Sequence, residues 1–156
     1  MRIVAALLAF VFSAGVLLAD CRPDQVELRG AFGKARFLVE LADTPRERAV
    51  GLMHRESMAA TAGMIFIYEQ PQAVSFWMEN TLIPLDMIFI DQSGTVARIH
   101  ENAIPLDRTP IPGGADILAV LEINGGLAAQ IGLAAGDVLR HPGLPQDLAV
   151  WPCAAD

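Results

Sequence analysis

Several features that would point to a definite function are missing from this sequence. Its 156 residues include only 11 Lys and Arg against 18 Asp and Glu, and the basic residues form no cluster. A nucleic acid or an anionic lipid surface is therefore not an expected partner. The chain also has no Gly-x-Ser-x-Gly sequence, no catalytic Cys–His pattern and no carboxylate pair with suggestive spacing. These absences favour a protein that is not an enzyme.

Metal-binding patterns are missing too, since there is no His-x-x-His sequence and no Met-rich repeat. A copper site is the alternative, because soft ligands that suit Cu(I) occur at Met53, His54, Met58, Met64 and Met78. Three of these methionines fall at predicted core positions, where methionine commonly fills space. We therefore predict no metal and no other cofactor.

The N-terminal 19 residues have the composition of a secretory signal peptide. Arg2 is followed by an uncharged apolar run from Ile3 to Leu18, and the small residue Ala19 precedes a polar segment. Alternatives are a single-span anchor and a lipoprotein, because residues 18–21 resemble a lipobox. No second hydrophobic span follows, so we predict no membrane span after cleavage. The expected location is the periplasm or the extracellular medium.

Only two cysteines are present, and they lie near the two ends of the predicted mature chain. In an oxidising compartment an even number of cysteines favours pairing, so we predict a disulfide between Cys21 and Cys153. The alternative is two free thiols on the terminal segments.

Alternating apolar residues predict a β-rich domain. Gly30–Gly33 separates two such segments, Gln25–Arg29 and Ala35–Ala42, and indicates a hairpin. Further strands are expected at Met64–Tyr68, Val74–Met78, Asp86–Ile90, Thr95–His100, Ile117–Ile123 and Val138–His141. The predicted fold is α+β and β-rich, with a barrel-like, mostly antiparallel sheet of about eight short strands and two short helices. It forms a single domain over residues 20–156, with a core over 25–141 and a tail over 142–156.

Two segments have helix signals. Thr44-Pro45-Arg46-Glu47 combines a Thr N-cap, Pro at the first helical position and Glu three residues after the cap. We predict that this helix continues for about twelve residues and packs on the sheet. A second, shorter helix is expected at Leu127–Ile131, where Gly132 would form a left-handed C-cap.

Six short motifs together resemble the DUF192 family, whose members are small and often exported bacterial and archaeal proteins. The resemblance covers about residues 25–141 and implies a similar fold, whereas the activity of the family is not established. Its residues are Gly51-Leu-Met53, Gly63-Met-Ile-Phe66, Phe76-Trp-Met-Glu-Asn-Thr81, Pro84-Leu-Asp86, Leu121-Glu-Ile-Asn-Gly125 and Gly136-Asp137. A basic residue commonly follows the Met of the Phe-Trp-Met motif in this family, and Glu79 occupies that position here.

Polar residues between two apolar runs are the leading candidates for a functional site. Trp77, Asn80, Thr81 and Asp86 could present an indole beside an amide and a carboxylate, as a pocket for a polar ring or a sugar does. The structural alternative is that Asn80 and Asp86 bond the backbone of a tight turn.

Two further residues complete the predicted site. His100 precedes a connection over residues 101–116 that is rich in Pro and Gly and lacks periodicity, and such long connections are often functional. Glu122, within an apolar strand, is either a partner for Asn80 or a solvent-facing residue.

We predict a non-enzymatic, exported binding module for a small polar or carbohydrate-like ligand. The alternatives are a metal-independent hydrolase that uses Asp86 and His100, and an envelope domain that binds another protein.

Overall fold

The computed structural model describes residues 21–153, so the predicted signal peptide lies outside the described residues. The elements follow in the order β1 (Gln25–Gly30), β2 (Gly33–Ala42), α1 (Pro45–Val50), β3 (Ala62–Phe76), β4 (Leu85–Ile90), β5 (Val96–Ala103), β6 (Ile111–Asn124), α2 (Leu127–Ile131) and β7 (Val138–Arg140). Within this part of the chain, no helix is long and apolar enough to cross a membrane.

The strands form one curled sheet. Their order is β5-β4-β6-β3-β2-β1-β7, and every neighbouring pair is antiparallel except β2 and β3, which are parallel. Near the two edges, Thr95 and Val138 form an isolated bridge, so the sheet curls into a half-barrel. The predicted β-rich α+β class and barrel-like sheet are therefore confirmed, with seven strands in residues 21–153 against the predicted eight.

Each face of the sheet carries its own apolar cluster. All six residues of β4 are buried, and successive side chains alternate between the faces. Ile88 and Ile90 belong to the first apolar cluster, on the first face of the sheet, to which β1, β7 and α2 also contribute. Met87 and Phe89 belong to the second apolar cluster, on the second face. A strand that is apolar on both faces lies inside the sheet, and β4 accordingly has a neighbouring strand on each side, β5 and β6.

One long strand replaces two predicted ones. The sequence indicated separate strands at Met64–Tyr68 and Val74–Met78, but β3 runs through this region, including Pro71, without reversing direction. Its register with β6 shifts between Ile67 and Gln72 and twice more by Ser75. Because Pro has no N–H to donate, it interrupts the ladder, and the irregular register accommodates it.

The predicted 16-residue connection over 101–116 is also wrong. β5 continues to Ala103 and β6 begins at Ile111, so the connection contains only residues 104–110. The glycines that suggested a loop lie inside β6 for a packing reason. A Cβ atom on Gly113 would lie 2.2 Å from the Phe89 ring, so only glycine fits against this buried aromatic side chain.

Helix α1 is half as long as predicted. The capping box is present, because the Thr44 hydroxyl accepts the Glu47 N–H at 3.2 Å and the Glu47 carboxylate accepts the Thr44 N–H at 3.1 Å. The helix nevertheless contains six residues and ends at Gly51, whose φ of 50° and ψ of −133° are not helical. None of its residues is buried, so little packing energy is available to extend it.

The C-terminal segment packs against the first cluster. Trp151 is 6% exposed, and the guanidinium groups of Arg29 and Arg140 lie 4.5 and 4.4 Å from its ring centre. The predicted disulfide between Cys21 and Cys153 is present, with the Cα atoms 5.3 Å apart. Such a bond is typical of proteins in oxidising compartments.

His141 connects the two terminal segments. Its Nε2 lies 2.9 Å from the carbonyl oxygen of Pro23, and its Nδ1 accepts the Gly143 N–H at 3.0 Å. Since Nδ1 is an acceptor here, the ring is neutral, with its proton on Nε2. Burial lowers the pKa of His141, and the bond to Pro23 opposes this only in part.

Candidate functional site

A small cavity of about 40 Å³ lies between α1 and the second face of the sheet. This volume has room for about two or three water molecules. Residues from the end of α1, from β3, from the turn after β3 and from β6 line it: Arg48, Ala49, Val50, Gly51, Leu52, Met53, Phe66, Phe76, Trp77, Thr81 and Glu122. Three of the residues predicted for the site, Trp77, Thr81 and Glu122, thus meet at one place.

Glu122 is the most unusual residue of this cavity. In the sheet it lies opposite Met64 of β3 and Met87 of β4, so its side chain shares a face with the second apolar cluster. It is only 4% exposed, so the interpretation as a solvent-facing residue is wrong. Within residues 21–153 its carboxyl group forms no hydrogen bond with another side chain or with the backbone.

Burial determines the protonation state of this acid. An ionised carboxylate that loses its hydration without gaining a partner is strongly disfavoured, so burial raises the pKa of Glu122 to about 8. At neutral pH the side chain is therefore mostly a neutral carboxylic acid, with one O–H donor and a carbonyl acceptor. A titratable group perturbed in this way, in a concave site, is a candidate functional residue.

A tight turn positions Thr81 beside this cavity. The Thr81 N–H donates to the Met78 carbonyl oxygen at 3.1 Å, and Asn80 has a φ of 55°, which Asn tolerates better than most residues. The Asn80 carbonyl oxygen accepts the His54 N–H at 2.8 Å, which joins the turn to the segment after α1. The Thr81 side chain is buried, and its hydroxyl donates to the Glu79 carbonyl oxygen at 3.3 Å.

Trp77 forms part of the rim of the cavity. It is 49% exposed, whereas the preceding Phe76 packs edge-to-face against Phe66 and Phe89. Trp77 also lines a neighbouring groove of about 260 Å³ with Ser75, Phe76 and Pro110. One indole therefore borders both the cavity and a wider surface groove.

Arg48 is a residue of this site that sequence reasoning missed. Its guanidinium donates to the carbonyl oxygens of Asp43 and Ile67, the latter at 2.9 Å, and lies 5.1 Å above the Tyr68 ring. These contacts hold it in the cavity wall, and no salt bridge joins it to Glu122 in residues 21–153. A basic residue in the last turn of a helix is expected from its interaction with the helix dipole, so the position of Arg48 did not indicate a functional site.

Asp86 lies elsewhere and has a complete set of partners. Its carboxylate accepts the N–H groups of Asn102 at 2.8 Å, Gly126 at 2.8 Å and Ala128 at 2.7 Å, and the residue is fully buried. Gly126 is the N-cap of α2 and has no side chain to cap it. Asp86 supplies this missing cap from β4. Its role is therefore structural, as the alternative held, but it bonds the backbone of distant segments and not that of its own turn.

His100 lies in a separate groove. This groove has a volume of about 360 Å³, and His100 lines it together with Arg98, Glu101, Asn102 and Asp107 among others. Asp86 does not line the groove, and in the described range His100 has no hydrogen bond to a carboxylate. The structure therefore does not bring together the two residues that the hydrolase alternative requires.

Asn80 and Glu79 have partners of their own. The Asn80 amide nitrogen lies 4.0 Å from the Met53 sulfur, and it forms no hydrogen bond with Glu122. Glu79 pairs with the guanidinium of Arg108, so a cation lies beside the position where the family commonly has a basic residue.

Among residues 21–153, no three or more His, Cys, Asp or Glu side chains are grouped to hold a metal ion. Of the soft residues considered for copper, Met64 and Met78 belong to the second apolar cluster and His54 is exposed.

Comparisons with known proteins identify the family. The sequence model of the DUF192 family, which is described as "Uncharacterized ACR", matches residues 27–141 of this chain. The chain belongs to the DUF192 family. The resemblance found in the sequence is thus confirmed. None of the curated proteins matches this DUF192 protein.

Two solved structures are similar to it over most of their length. A protein of unknown function from Novosphingobium aromaticivorans DSM 12444 is 46% identical with a TM-score of 0.73, and the match covers 74% of this chain and 83% of that one. A protein from Sinorhizobium meliloti 1021, named a "putative transcription regulator", is 40% identical with a TM-score of 0.76. That match covers 80% of this chain and 98% of the other.

Proposed function

We propose that this DUF192 protein is a non-enzymatic binding module for a small polar ligand, such as a sugar-like ring, at the Glu122 cavity. One observation carries the proposal: the Glu122 carboxyl group, on a side chain only 4% exposed, forms no hydrogen bond with another residue of 21–153 and borders a cavity whose rim includes a half-exposed tryptophan. The oxygens of this group are accessible from the cavity, because no fully buried side-chain oxygen or nitrogen in these residues lacks a partner. They are therefore available to a ligand, so the site favours occupation by a polar group.

The arrangement suits a ring that carries polar substituents. A cavity of about 40 Å³ is too small for a whole sugar ring but accepts one substituent. The ring itself would stack on Trp77 and extend into the groove that Ser75 and Pro110 border. Stacking on an aromatic side chain combined with a few oriented hydrogen bonds is a common way to bind such ligands.

The cavity lacks the groups that hydrolysis needs. Among its lining residues, Glu122 is the only carboxyl group and Thr81 the only hydroxyl, and the Thr81 hydroxyl donates to a backbone carbonyl. No histidine lines it to activate a nucleophile. A binding role therefore accounts for the site better than catalysis does.

The proposal places the protein outside the cytoplasm, in the periplasm or the medium. The Cys21–Cys153 disulfide supports an oxidising compartment. The N-terminal apolar run supports export through a signal peptide.

A thermal-shift screen of the mature protein against neutral, amino and acidic sugars and cell-wall fragments tests the proposal. A ligand at 100 times its Kd adds about 2.7 kcal/mol, which raises the Tm of a domain of this size by several degrees. We expect this rise to be lost in Trp77→Ala and in Glu122→Leu. Ile104→Ala is the matched control, because Ile104 is 67% exposed and does not line the cavity.

Two results would contradict the proposal. A shift that survives both cavity variants would place the ligand elsewhere. If no compound shifts the Tm, while an immobilised wild-type protein retains an envelope protein that Trp77→Ala does not retain, the surface around Trp77 would be a protein-binding site instead.

A further inference from the structure

The hydrogen-bonding capacity of Glu122 narrows the class of ligand, if the cavity is the binding site proposed above. We infer that the ligand group that enters the cavity is uncharged and carries a donor beside an acceptor, as an amide or a hydroxyl does. Amino groups, which are cationic, and carboxylate or phosphate groups, which are anionic, are the classes that this inference excludes.

As a carboxylic acid, Glu122 offers a ligand two hydrogen-bonding sites. Its O–H needs an acceptor and its carbonyl oxygen needs a donor. An ammonium group only donates and a carboxylate only accepts, so either would bond only one of the two sites of Glu122. A hydroxyl or an amide can bond both sites. An amide does so with two parallel hydrogen bonds, because its carbonyl oxygen accepts the O–H of the acid while its N–H donates to the carbonyl oxygen of the acid.

The side chains around Glu122 are mostly apolar. Met64 and Met87 lie on either side of Glu122 in the sheet, and Leu52, Phe66 and Phe76 also belong to or pack on the same apolar cluster. A charged ligand group would lose its hydration among these side chains without a full set of partners. An uncharged group loses far less.

The charge already present in the cavity wall also disfavours a cationic ligand group. Arg48 on α1 is the only cationic side chain that lines the cavity, and it already donates to the Asp43 and Ile67 carbonyl oxygens. A cationic ligand group would be repelled by Arg48. It would also need an ionised Glu122 as its partner, whereas burial favours the neutral form of this acid. That neutral form predominates at pH 7, because burial raises the pKa of Glu122 to about 8.

The groups that surround Glu122 allow a clean pH test. β3 contributes Tyr68, the pKa of which burial raises further above neutrality, and α1 contributes Arg48. β4 contributes Met87, and the turn after β3 contributes Thr81; neither titrates. Among these neighbours, Glu122 is therefore the group that changes its charge between pH 6 and pH 9.

The experiment measures binding by quenching of tryptophan fluorescence, with four matched probes on the wild-type protein. Glucose and N-acetylglucosamine are neutral, glucosamine carries an ammonium group and glucuronic acid carries a carboxylate. We expect the neutral probes to bind best at pH 6 and to lose about tenfold in affinity by pH 9, as the neutral acid is depleted. Glu122→Gln, which is neutral and has both a donor and an acceptor, should retain binding without this pH dependence.

The outcomes separate this inference from the proposed function. Preferential binding of glucosamine at pH 6, where its amine is protonated, or of glucuronic acid, would refute the neutral class and leave a binding site at Trp77 intact. If none of the probes binds, both statements fail. A carboxyl ¹³C resonance, assigned by its loss in Glu122→Gln, gives an independent check, and an ionised Glu122 at pH 7 would overturn the inference without any ligand.

Discussion

Asp86 and Glu122 are two buried acids on neighbouring strands of one sheet, and their surroundings are opposite. Asp86 pairs with Ile123 and faces the cluster under α2, whereas Glu122 faces the other cluster and the cavity. Asp86 accepts three backbone N–H groups, and Glu122 has no hydrogen-bond partner within 21–153. Burial alone therefore does not reveal the role of an acid. The partners decide it: a fully bonded carboxylate stabilises the fold, and an unbonded one beside a cavity is available to a ligand.

The largest expected effect tests the structural role of Asp86. Asp86→Ala should lower the free energy of unfolding by about 3 kcal/mol or more, because three buried N–H groups lose their acceptor. Urea denaturation at pH 7 measures this change. Glu122→Leu is the matched control, since it removes an acid that has no partner and should not destabilise the protein. Similar losses in the two variants would remove the distinction between these acids.

A smaller effect tests the protonation of Glu122. Its pKa is about 8 in the folded protein and near 4.5 when exposed, so this stabilising contribution is complete below pH 4.5 and is lost as the pH rises towards 8. Between pH 6.5 and pH 8 the wild type should lose about 1.6 kcal/mol relative to Glu122→Gln, because the slope of about 1.4 kcal/mol per pH unit falls to half of that value at pH 8. Parallel pH profiles of the two proteins would show that Glu122 is already ionised.

The smallest expected effect concerns His141, a third buried titratable group. Its pKa is lowered in the folded protein, so it stabilises the fold above its usual pKa of 6.5, and this contribution is lost as the pH falls below that value. The direction is opposite to that of Glu122. The free energy of unfolding, measured by denaturation at pH 7 and pH 5, should fall less in His141→Gln than in the wild type. An equal fall in both proteins would show that other groups cause the loss of stability.

Much of the fold was predictable because its signals are local. The Thr44–Glu47 capping box and the Gly132 C-cap each depend on a few adjacent residues, and both are present. The errors occurred where a distant residue decides the conformation. Gly113 suggested a loop, but it lies in β6 because Phe89 leaves no space for a side chain.

The site was predicted in part for the same reason. The sequence singled out Trp77, Thr81 and Glu122, which do meet, together with Asp86 and His100, which lie away from the cavity. Nothing in the sequence pattern distinguished Asp86 from Glu122. Arg48 was missed because only the folded chain brings the end of α1 over β3.

By itself, the sequence determined the β-rich class, the helix caps, the family and the pairing of its two cysteines, because these follow from local backbone preferences, motif order and composition. The tertiary structure alone decided which polar groups are bonded. The Asp86 carboxylate accepts the N–H of Ala128, which is 42 residues away. Glu122 forms no hydrogen bond within residues 21–153, because α1 and the turn at Thr81 cover its face of the sheet without supplying a donor or an acceptor within reach. Contacts of that kind depend on how distant elements pack, which short patterns of residues do not encode.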